Sequence, residues 1–316
     1  MAFDAIRHFV TEPLANKSPN LFLFRVAQIL HERTRGHTDH LFIRILSKLR
    51  PQVALPPSAF IEAEEIERAV ADLRARGWWL MPRRLDDKDI AEIRRFAFST
   101  PAFATRFDER IAIDEKQPPQ DHSRYEWRMS ELLKLPAVQR LLQDGALHQI
   151  AQSYIGCRPI LTSVTLWLDP VFDGPSPAHV YHFDNDGPGF LKFFVYLSDV
   201  DSETGAHTYI QGSHGHDKPA AFYRSQRYER EDLRRHYGAD NEIVFAAPAG
   251  TILAEDTTGF HRGMDPKRGY RLLLQLQYSA IDIPHAEEFF RRVPKVEIPG
   301  LNPGIAAIAR KFIHPV

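Results

Sequence analysis

Cysteine, net charge and long apolar runs are all scarce in this sequence, and each scarcity argues against a class of protein. Cys157 is the one cysteine among 316 residues, so no disulfide can form within the chain. A lone thiol also argues against a structural zinc or iron–sulfur centre. The formal net charge of -1 provides no overall field that would attract nucleic acid. No apolar run reaches the roughly 18 to 20 residues that a membrane-spanning helix needs.

The N-terminal sequence and the composition indicate an ordinary globular protein. The first residues include acidic side chains and lack the apolar segment of a secretory signal. The composition is 43% hydrophobic and 26% charged, which provides enough apolar material for a sizeable core. We therefore expect a cytoplasmic protein without a membrane span and with no role in nucleic-acid binding.

Apolar spacing predicts that residues 1–75 form a helical N-terminal extension. Two helices are predicted there, one over residues 20–32 and one that begins near Asp39. The second helix has four apolar side chains on one predicted face, which are Leu41, Phe42, Ile45 and Leu49. Basic side chains scattered along both helices favour a solvated surface. Weak peripheral binding to anionic lipid is the alternative for this surface.

After Gly156 the pattern changes to short strand-like runs separated by Gly, Pro, Asp and Ser. The runs cover residues 160–168, 191–197, 206–210, 251–253 and 270–278. Most of them follow one another without a helix long enough for a parallel crossover, which predicts an antiparallel barrel or a double-sheet jelly roll. A polar stretch near residues 222–237 is predicted to be a helical insertion. The sequence therefore predicts a mainly β fold with flanking helices.

The triplet His182-Phe183-Asp184 carries the first chemical signal. Residues i and i+2 of a strand point to the same face, so His182 and Asp184 can reach one point while Phe183 turns away. An imidazole and a carboxylate together suit a divalent transition metal. Asp186 is a rival carboxylate, but its spacing of four from His182 suits a helix better than a strand.

His261 and Arg271 extend this signal. His261 follows the strand-like run 251–253, and distant strands of a closed antiparallel fold can meet at one mouth. A third ligand there completes a set of two histidines and one carboxylate, which leaves roughly three positions of an octahedral ion open, as in non-haem Fe(II) oxygenases. Arg271 lies ten residues further on, inside an apolar strand. Burial of a guanidinium there needs a reason, and a bound carboxylate would supply it.

The order of these elements resembles the phytanoyl-CoA dioxygenase family of Fe(II)/2-oxoglutarate-dependent oxygenases, over roughly residues 75–280. The matching pieces are His182-Phe183-Asp184, the apolar run 191–200, the turn Gly212-Ser213-His214, and His261 followed by Arg271. The resemblance implies a double-stranded β-helix of the jelly-roll or cupin-like kind, predicted here as one catalytic unit over residues 76–316. It also implies Fe(II) bound by His182, Asp184 and His261, and 2-oxoglutarate whose distal carboxylate binds Arg271.

Two further residues are predicted to bind the cosubstrate. Thr165, in the strand before the triplet, is expected to offer its hydroxyl. Lys192 interrupts an apolar strand, and it either contacts 2-oxoglutarate or substrate, or extends its ammonium to solvent at a sheet edge. His214 is expected to have a structural role in its turn. Related halogenases have Ala or Gly in place of Asp184, so the carboxylate favours hydroxylation or desaturation.

The sequence therefore predicts a dioxygenase that uses Fe(II), 2-oxoglutarate and O₂ to hydroxylate an unactivated C–H bond of a small organic substrate, releasing succinate and CO₂. Two alternatives stay open. The first is a non-catalytic metal- or ligand-binding β-barrel, which would not need Arg271. The second is a zinc hydrolase with the same three ligands, which would need a general base such as Glu255 or Asp256. The resemblance does not select a substrate.

Overall fold

A computed structural model of the chain describes residues 19–104, 109–174, 176, 179–215, 218–219, 222, 227–283 and 293–315. Within these ranges the helices are α1 (Pro19–Thr34), α2 (Asp39–Leu49), α3 (Ala63–Arg76), α4 (Asp87–Ser99), α5 (Met129–Leu132), α6 (Pro136–Gln143), α7 (Gly145–Ile155), α8 (Arg230–Tyr237) and α9 (Pro303–Ala309). A 3₁₀ turn over Ala239–Asn241 follows α8. In the part of the chain that is described, no helix combines the length and the apolar character needed to cross a bilayer.

The predicted antiparallel β core is confirmed. Eight strands form one antiparallel sheet in the order β1-β9-β6-β11-β5-β4-β2-β3. They are β1 (Trp78–Leu80), β2 (Ala102–Phe103), β3 (Arg110–Ile111), β4 (Tyr125–Glu126), β5 (Ile160–Pro170), β6 (Phe190–Tyr196), β9 (Ile252–Glu255) and β11 (Tyr270–Ser279). A second antiparallel sheet contains β7 (His207–Ile210), β8 (Glu242–Phe245) and β10 (His261–Gly263). Near the C-terminus, β12 (Val296–Ile298) and β13 (Ile313–Pro315) form a short parallel pair.

The large sheet has two faces of different chemistry, because side chains alternate along each strand. One face is apolar and packs against the helices; it includes Leu191, Phe193, Val195, Leu272, Leu274 and Leu276. The other face contributes Phe194, Tyr196, Leu253 and Leu273 to a smaller cluster that also contains Phe245 from the second sheet. This inner face also has buried Lys192, Glu255 and Arg271. Buried charges are rare unless they are paired or bind a ligand.

Helices α1 and α2 are present as predicted, but the predicted apolar face of α2 does not face the core. Leu41, Ile45 and Leu49 are 51%, 59% and 72% exposed, whereas Ile43 and Leu46 pack against the core. Apolar spacing defines a stripe on a helix but does not say which side meets the rest of the protein. The solvated surface stays the prediction for these helices, and weak binding to anionic lipid stays the alternative.

The N-terminal helices contact the β core directly. The Gln28 amide of α1 donates to the Asn185 carbonyl at 3.1 Å, one residue after Asp184. The guanidinium of Arg50, just beyond α2, donates to the Ala280 carbonyl. A Cβ on Gly189 would lie 2.7 Å from the Ile43 side chain, so α2 packs closely on the chain that enters β6.

The predicted insertion at 222–237 lies partly outside the described residues, since these omit 223–226. Its described part contains α8, which begins at Arg230. Tyr228 forms an antiparallel bridge with Tyr181, so the segment returns beside the chain that leads into the triplet.

Candidate metal centre

The predicted metal ligands lie where the triplet meets the end of β10. His182 and His261 form an antiparallel bridge with backbone N–H to O distances of 3.0 and 2.8 Å, and the Asp184 N–H donates to the Thr257 carbonyl at 2.8 Å. The ligand atoms of His182, Asp184 and His261 all lie within 4.8 Å of one another. This backbone ladder fixes two histidines and one carboxylate around a common point, so the three can hold a metal ion.

Both histidines have the tautomer that a metal site needs. The Nδ1 of His182 lies 2.9 Å from the Val180 carbonyl, and the Nδ1 of His261 lies 3.0 Å from the Gly259 carbonyl. A carbonyl oxygen only accepts, so each Nδ1 carries the proton and each Nε2 keeps a free lone pair. Burial lowers the pKa of His182 below its ordinary value, and burial together with His182 lowers the pKa of His261 to about 4. Both rings are therefore neutral near pH 7.

Asp184 is ionised and held by a buried lysine. The Lys192 ammonium lies 2.6 Å from Asp184 Oδ2 and 3.2 Å from Asp186 Oδ2. Burial alone would raise the pKa of Asp184, but Lys192 and the two histidines outweigh it and hold the pKa well below its ordinary range. Gln277 donates to Asp186 at 2.9 Å. Asp186 therefore supports Lys192, and it is outside the metal-ligand cluster.

Arg271 is buried in a second charged cluster, which closes the other side of the cavity. Its Nη2 lies 2.5 Å from Asp169 Oδ2, and its Nη1 donates to the Gly205 carbonyl at 2.6 Å. Arg271 and Asp169 are direct partners in the β11–β5 register. Arg124 also donates to Asp169, with Nε 2.8 Å from Oδ1. Burial alone would raise the pKa of Asp169, but Arg124 and Arg271 lower it to about 2.

Two buried N–H groups in this cavity have no acceptor among the described residues: Arg271 Nε and Trp167 Nε1. An orphaned buried donor costs about 1–3 kcal/mol, so such groups indicate a missing ligand or water. The Arg271 guanidinium approaches β10 closely because residue 263 is glycine. A Cβ there would lie 2.5 Å from Arg271 Nη2.

The ligand cluster and Arg271 line one cavity of about 150 Å³. The cavity is also lined by Arg124, Trp167, Lys192, Phe194, His207 and Gln275. His207 stacks on His261 at a ring distance of 5.6 Å and lies 3.0 Å from Glu255 Oε1. Burial raises the pKa of Glu255 to about 8. A neutral Glu255 can therefore share a hydrogen bond with neutral His207.

The structure brings together the predicted ligands, Arg271 and Lys192 around one cavity, but Thr165 does not line this cavity. Thr165 is buried, its hydroxyl lies 2.8 Å from Ser163 Oγ, and it is not among the lining residues of the cavity. The sheet-edge alternative for Lys192 is wrong, because β6 lies between β9 and β11 and the side chain is buried. His214 donates to the Arg74 carbonyl at 3.0 Å and is outside the cluster, in line with a structural role.

Sequence reasoning missed Asp169, its contact with Arg124, and the His207–Glu255 pair. The predicted strand ended at Leu168, whereas β5 continues to Pro170 and includes Asp169. An acidic residue at the end of an apolar strand was the available signal.

No protein-family model and no curated protein sequence matches the chain. Among solved structures, EctD from S. alaskensis matches with a TM-score of 0.52 at 16% identity, over 84% of this chain and 91% of that one. The non-haem, alpha-ketoglutarate-dependent epimerase SnoN from nogalamycin biosynthesis matches with a TM-score of 0.51 at 17% identity, over 74% of this chain and 89% of that one. At these identities the similarity concerns the fold. The chain therefore shares its jelly-roll fold with these two solved proteins.

Proposed function

We propose that this protein is an Fe(II)- and 2-oxoglutarate-dependent dioxygenase that oxidises a small organic substrate. One observation carries the proposal: a histidine–aspartate–histidine cluster and a buried arginine with an unpartnered N–H line the same cavity. A metal-binding barrel needs the histidine–aspartate–histidine cluster alone, whereas a site for a dicarboxylate cosubstrate needs both the cluster and the arginine.

The donor set fits a ferrous ion. His182 and His261 offer neutral Nε2 atoms, and Asp184 offers an ionised carboxylate. Two imidazoles and one carboxylate with open positions are typical of non-haem Fe(II) oxygenases. The backbone carbonyls that accept from both Nδ1 atoms keep the rings oriented before any ion binds.

The opposite end of the cavity fits a carboxylate. Arg271 Nε is buried and finds no acceptor in the part of the chain that the structure describes, and a carboxylate oxygen is the acceptor that a guanidinium prefers. Gly263 leaves the room that the guanidinium occupies, and Asp169 and Gly205 fix its other two nitrogens. The distal carboxylate of 2-oxoglutarate would bind here, which orients its 2-oxo acid end toward the metal ligands.

When bound, Fe(II) with 2-oxoglutarate and O₂ would supply the oxidising chemistry, and the protein would supply geometry and a dry site. Lys192 holds the Asp184 carboxylate, His207 packs against His261, and an apolar cluster formed by both sheets lies beside the cavity. Hydroxylation is the reaction that we propose, because Asp184 supplies the carboxylate that halogenases lack. The epimerase activity of SnoN is a reminder that this fold also serves other reactions.

Neither of the two bases named for the zinc-hydrolase alternative is suited to that role. Glu255 is fully buried and bonded to His207, with a pKa raised to about 8. Asp256 accepts from the Tyr154 hydroxyl at 2.5 Å and from the Thr258 hydroxyl at 2.7 Å, and it lines a different groove, beside α2. The non-catalytic alternative gains one argument, since Asp169 gives Arg271 a structural ion pair.

The test is calorimetric titration of 2-oxoglutarate into the protein loaded with Mn(II), which replaces Fe(II) without reacting with O₂. We expect binding in the wild type, loss of metal binding in His182→Ala, and retained metal but weakened cosubstrate binding in Arg271→Met. A charge-assisted hydrogen bond contributes about 1.5–3 kcal/mol, so the affinity in Arg271→Met should fall roughly 10- to 100-fold.

Arg268→Met is the matched control for Arg271→Met. Arg268 lies three residues away on an exposed turn, where it pairs with Asp201. His214→Ala is the control for His182→Ala. Metal binding without any 2-oxoglutarate binding in the wild type would refute the proposal and favour a metal-binding barrel. Hydrolysis with zinc in the absence of O₂ would favour the hydrolase.

A further inference from the structure

The second charged cluster of the cavity contains two arginines for one aspartate, and this excess has a consequence for binding. Asp169 is fully buried and takes hydrogen bonds from both Arg271 and Arg124. At neutral pH the three side chains carry two positive charges and one negative charge. Arg271 and Asp169 alone would be neutral together, so a carboxylate that approached them would find no net positive charge.

Arg124 supplies the missing charge and is built into the cavity wall. Its guanidinium carbon lies 4.1 Å from the centroid of the Trp167 ring, and its Nε and Nη2 both reach Asp169. Its Nη1 has no hydrogen-bond partner in the described part of the chain and remains available. A stacked guanidinium with two nitrogens fixed is preorganised and loses little freedom when it binds an anion.

The unpartnered donors of this wall come from three neighbouring side chains. Among the described residues, Arg271 Nε and Trp167 Nε1 are buried without an acceptor, and Arg124 Nη1 has no hydrogen-bond partner. Trp167 and Asp169 are on the same side of β5, since their positions differ by two. One carboxylate offers roughly four acceptor sites on two oxygens, which is enough for these donors.

We propose that Arg124 and Arg271 together bind the distal carboxylate of the cosubstrate, with Asp169 holding the two guanidinium groups in place. The inference rests on the proposed function and deepens it. Arg124 then determines the affinity for a 2-oxo acid with a second carboxylate, and it is a cosubstrate-binding residue rather than a contact for the substrate.

Charge balance across the cavity supports this assignment. At the metal end, Asp184 and Asp186 contact Lys192, so the net charge of these three side chains is -1. A bound ferrous ion would change the net charge of that end to +1. The arginine end is also positive by one charge. A dicarboxylate with one carboxylate at each end neutralises both, whereas without Arg124 the second carboxylate would be buried without compensation, which is costly.

The experiment compares 2-oxoglutarate affinity in the Mn(II)-loaded wild type, Arg124→Met, Asp169→Asn and the double variant. We expect affinity in Arg124→Met to fall about 10- to 100-fold, with Mn(II) binding unchanged. The double variant removes one positive and one negative charge, so the net charge of +1 at this end returns, carried by Arg271. It should therefore recover most of the 2-oxoglutarate affinity that Arg124→Met loses. A role of Arg124 in packing alone would not produce that recovery.

Two controls make the result specific. Arg110 is a matched arginine that stacks on Phe103 at 5.0 Å and pairs with Glu131 outside the cavity, so Arg110→Met should leave affinity unchanged. The ligand 2-oxobutyrate has no distal carboxylate, so its weak binding should be the same in Arg124→Met and wild type. If Arg124→Met does not fold, Arg124→Lys, which keeps the charge but not the fork, should give an intermediate loss.

Wild-type affinity for 2-oxoglutarate in Arg124→Met, together with a loss in Arg271→Met, would overturn this inference and leave the proposed function intact. A loss in Arg124→Met that extends equally to 2-oxobutyrate would also overturn it. Absence of 2-oxoglutarate binding in the metal-loaded wild type would instead refute the proposed function itself.

Discussion

Replacement of Lys192 by methionine should make the stability of this protein depend strongly on metal. Lys192 is buried and contacts two carboxylates, Asp184 at 2.6 Å and Asp186 at 3.2 Å. Methionine fills similar space without charge, so the metal-free variant keeps two partly buried carboxylates without their cation. Gln277 still donates to Asp186, but Asp184 loses its ammonium partner.

The magnitude follows from the cost of breaking a buried ion pair. Removal of one partner of a fully buried pair typically costs about 3–5 kcal/mol, because the other charge stays buried and unpaired. The Asp184 side chain is 21% exposed, so the lower end, about 3 kcal/mol, is expected here. Each kcal/mol shifts Tm by about 2–4 °C in chains of 150–250 residues, so a fall on the order of 10 °C is expected here without metal. A divalent ion on Asp184 would replace the lost positive charge. Added metal should therefore raise Tm more in Lys192→Met than in the wild type.

The assay is thermal unfolding of both proteins in EDTA and in excess Mn(II). Lys267→Met is the control, since Lys267 is an exposed lysine that pairs with Glu203, and it should change Tm little in either condition. The reasoning would be refuted if Lys192→Met in EDTA melted at the wild-type temperature. It would also be refuted if a large fall in Tm were unaffected by Mn(II), because the lost stability would then come from packing.

Two further predictions concern the cosubstrate end and the buried ionisable groups. Gly263→Ala would place a Cβ 2.5 Å from Arg271 Nη2 and displace the guanidinium. Calorimetry should therefore show 2-oxoglutarate binding that is at least about tenfold weaker, with unchanged Mn(II) affinity. Equal 2-oxoglutarate affinity in Gly263→Ala and wild type would contradict this placement of Arg271. Burial lowers the pKa of His148 to about 4, of His207 to about 3 and of His261 to about 4, so between these values and about 6.5 the unfolded chain binds more protons. Urea unfolding in EDTA should therefore show stability rising as pH increases from about 4 to about 6.5. The pKa of Glu255, raised from 4.5 to about 8, acts in the opposite direction, because the folded chain binds more protons between these two values. Its stabilisation is lost progressively as pH rises from about 4.5 to about 8; a loss that persists in Glu255→Gln would show that another group causes it.

The metal centre was predictable because its signal is local. His182 and Asp184 are two residues apart, and the alternation of a strand brings both to one face without any knowledge of the fold. Arg271 was recognisable because a guanidinium inside an apolar strand is unusual. The prediction of His261 as a ligand depended on the assumption that distant strands meet. In the structure they do meet, through the bridge between His182 and His261.

The supporting residues were not predictable in the same way, because they depend on the pairing of distant strands. Asp169 meets Arg271 through the β5–β11 register, across 102 positions of sequence. His207 and Glu255 are 48 positions apart and come from different sheets. The role of Lys192 depends on whether β6 is an inner or an edge strand, which spacing along the chain does not reveal. The face of α2 that meets the core depends on tertiary packing for the same reason.

The most direct test of the central claim is to add Fe(II) and then 2-oxoglutarate to the metal-free protein without O₂, and then to admit O₂. The proposed function predicts a visible metal-to-ligand charge-transfer band when both are present, followed by its decay and the formation of succinate. His182→Ala should show neither. A wild-type protein that binds Fe(II) but gives no band and no succinate would contradict the claim that the cluster and Arg271 form one cofactor site.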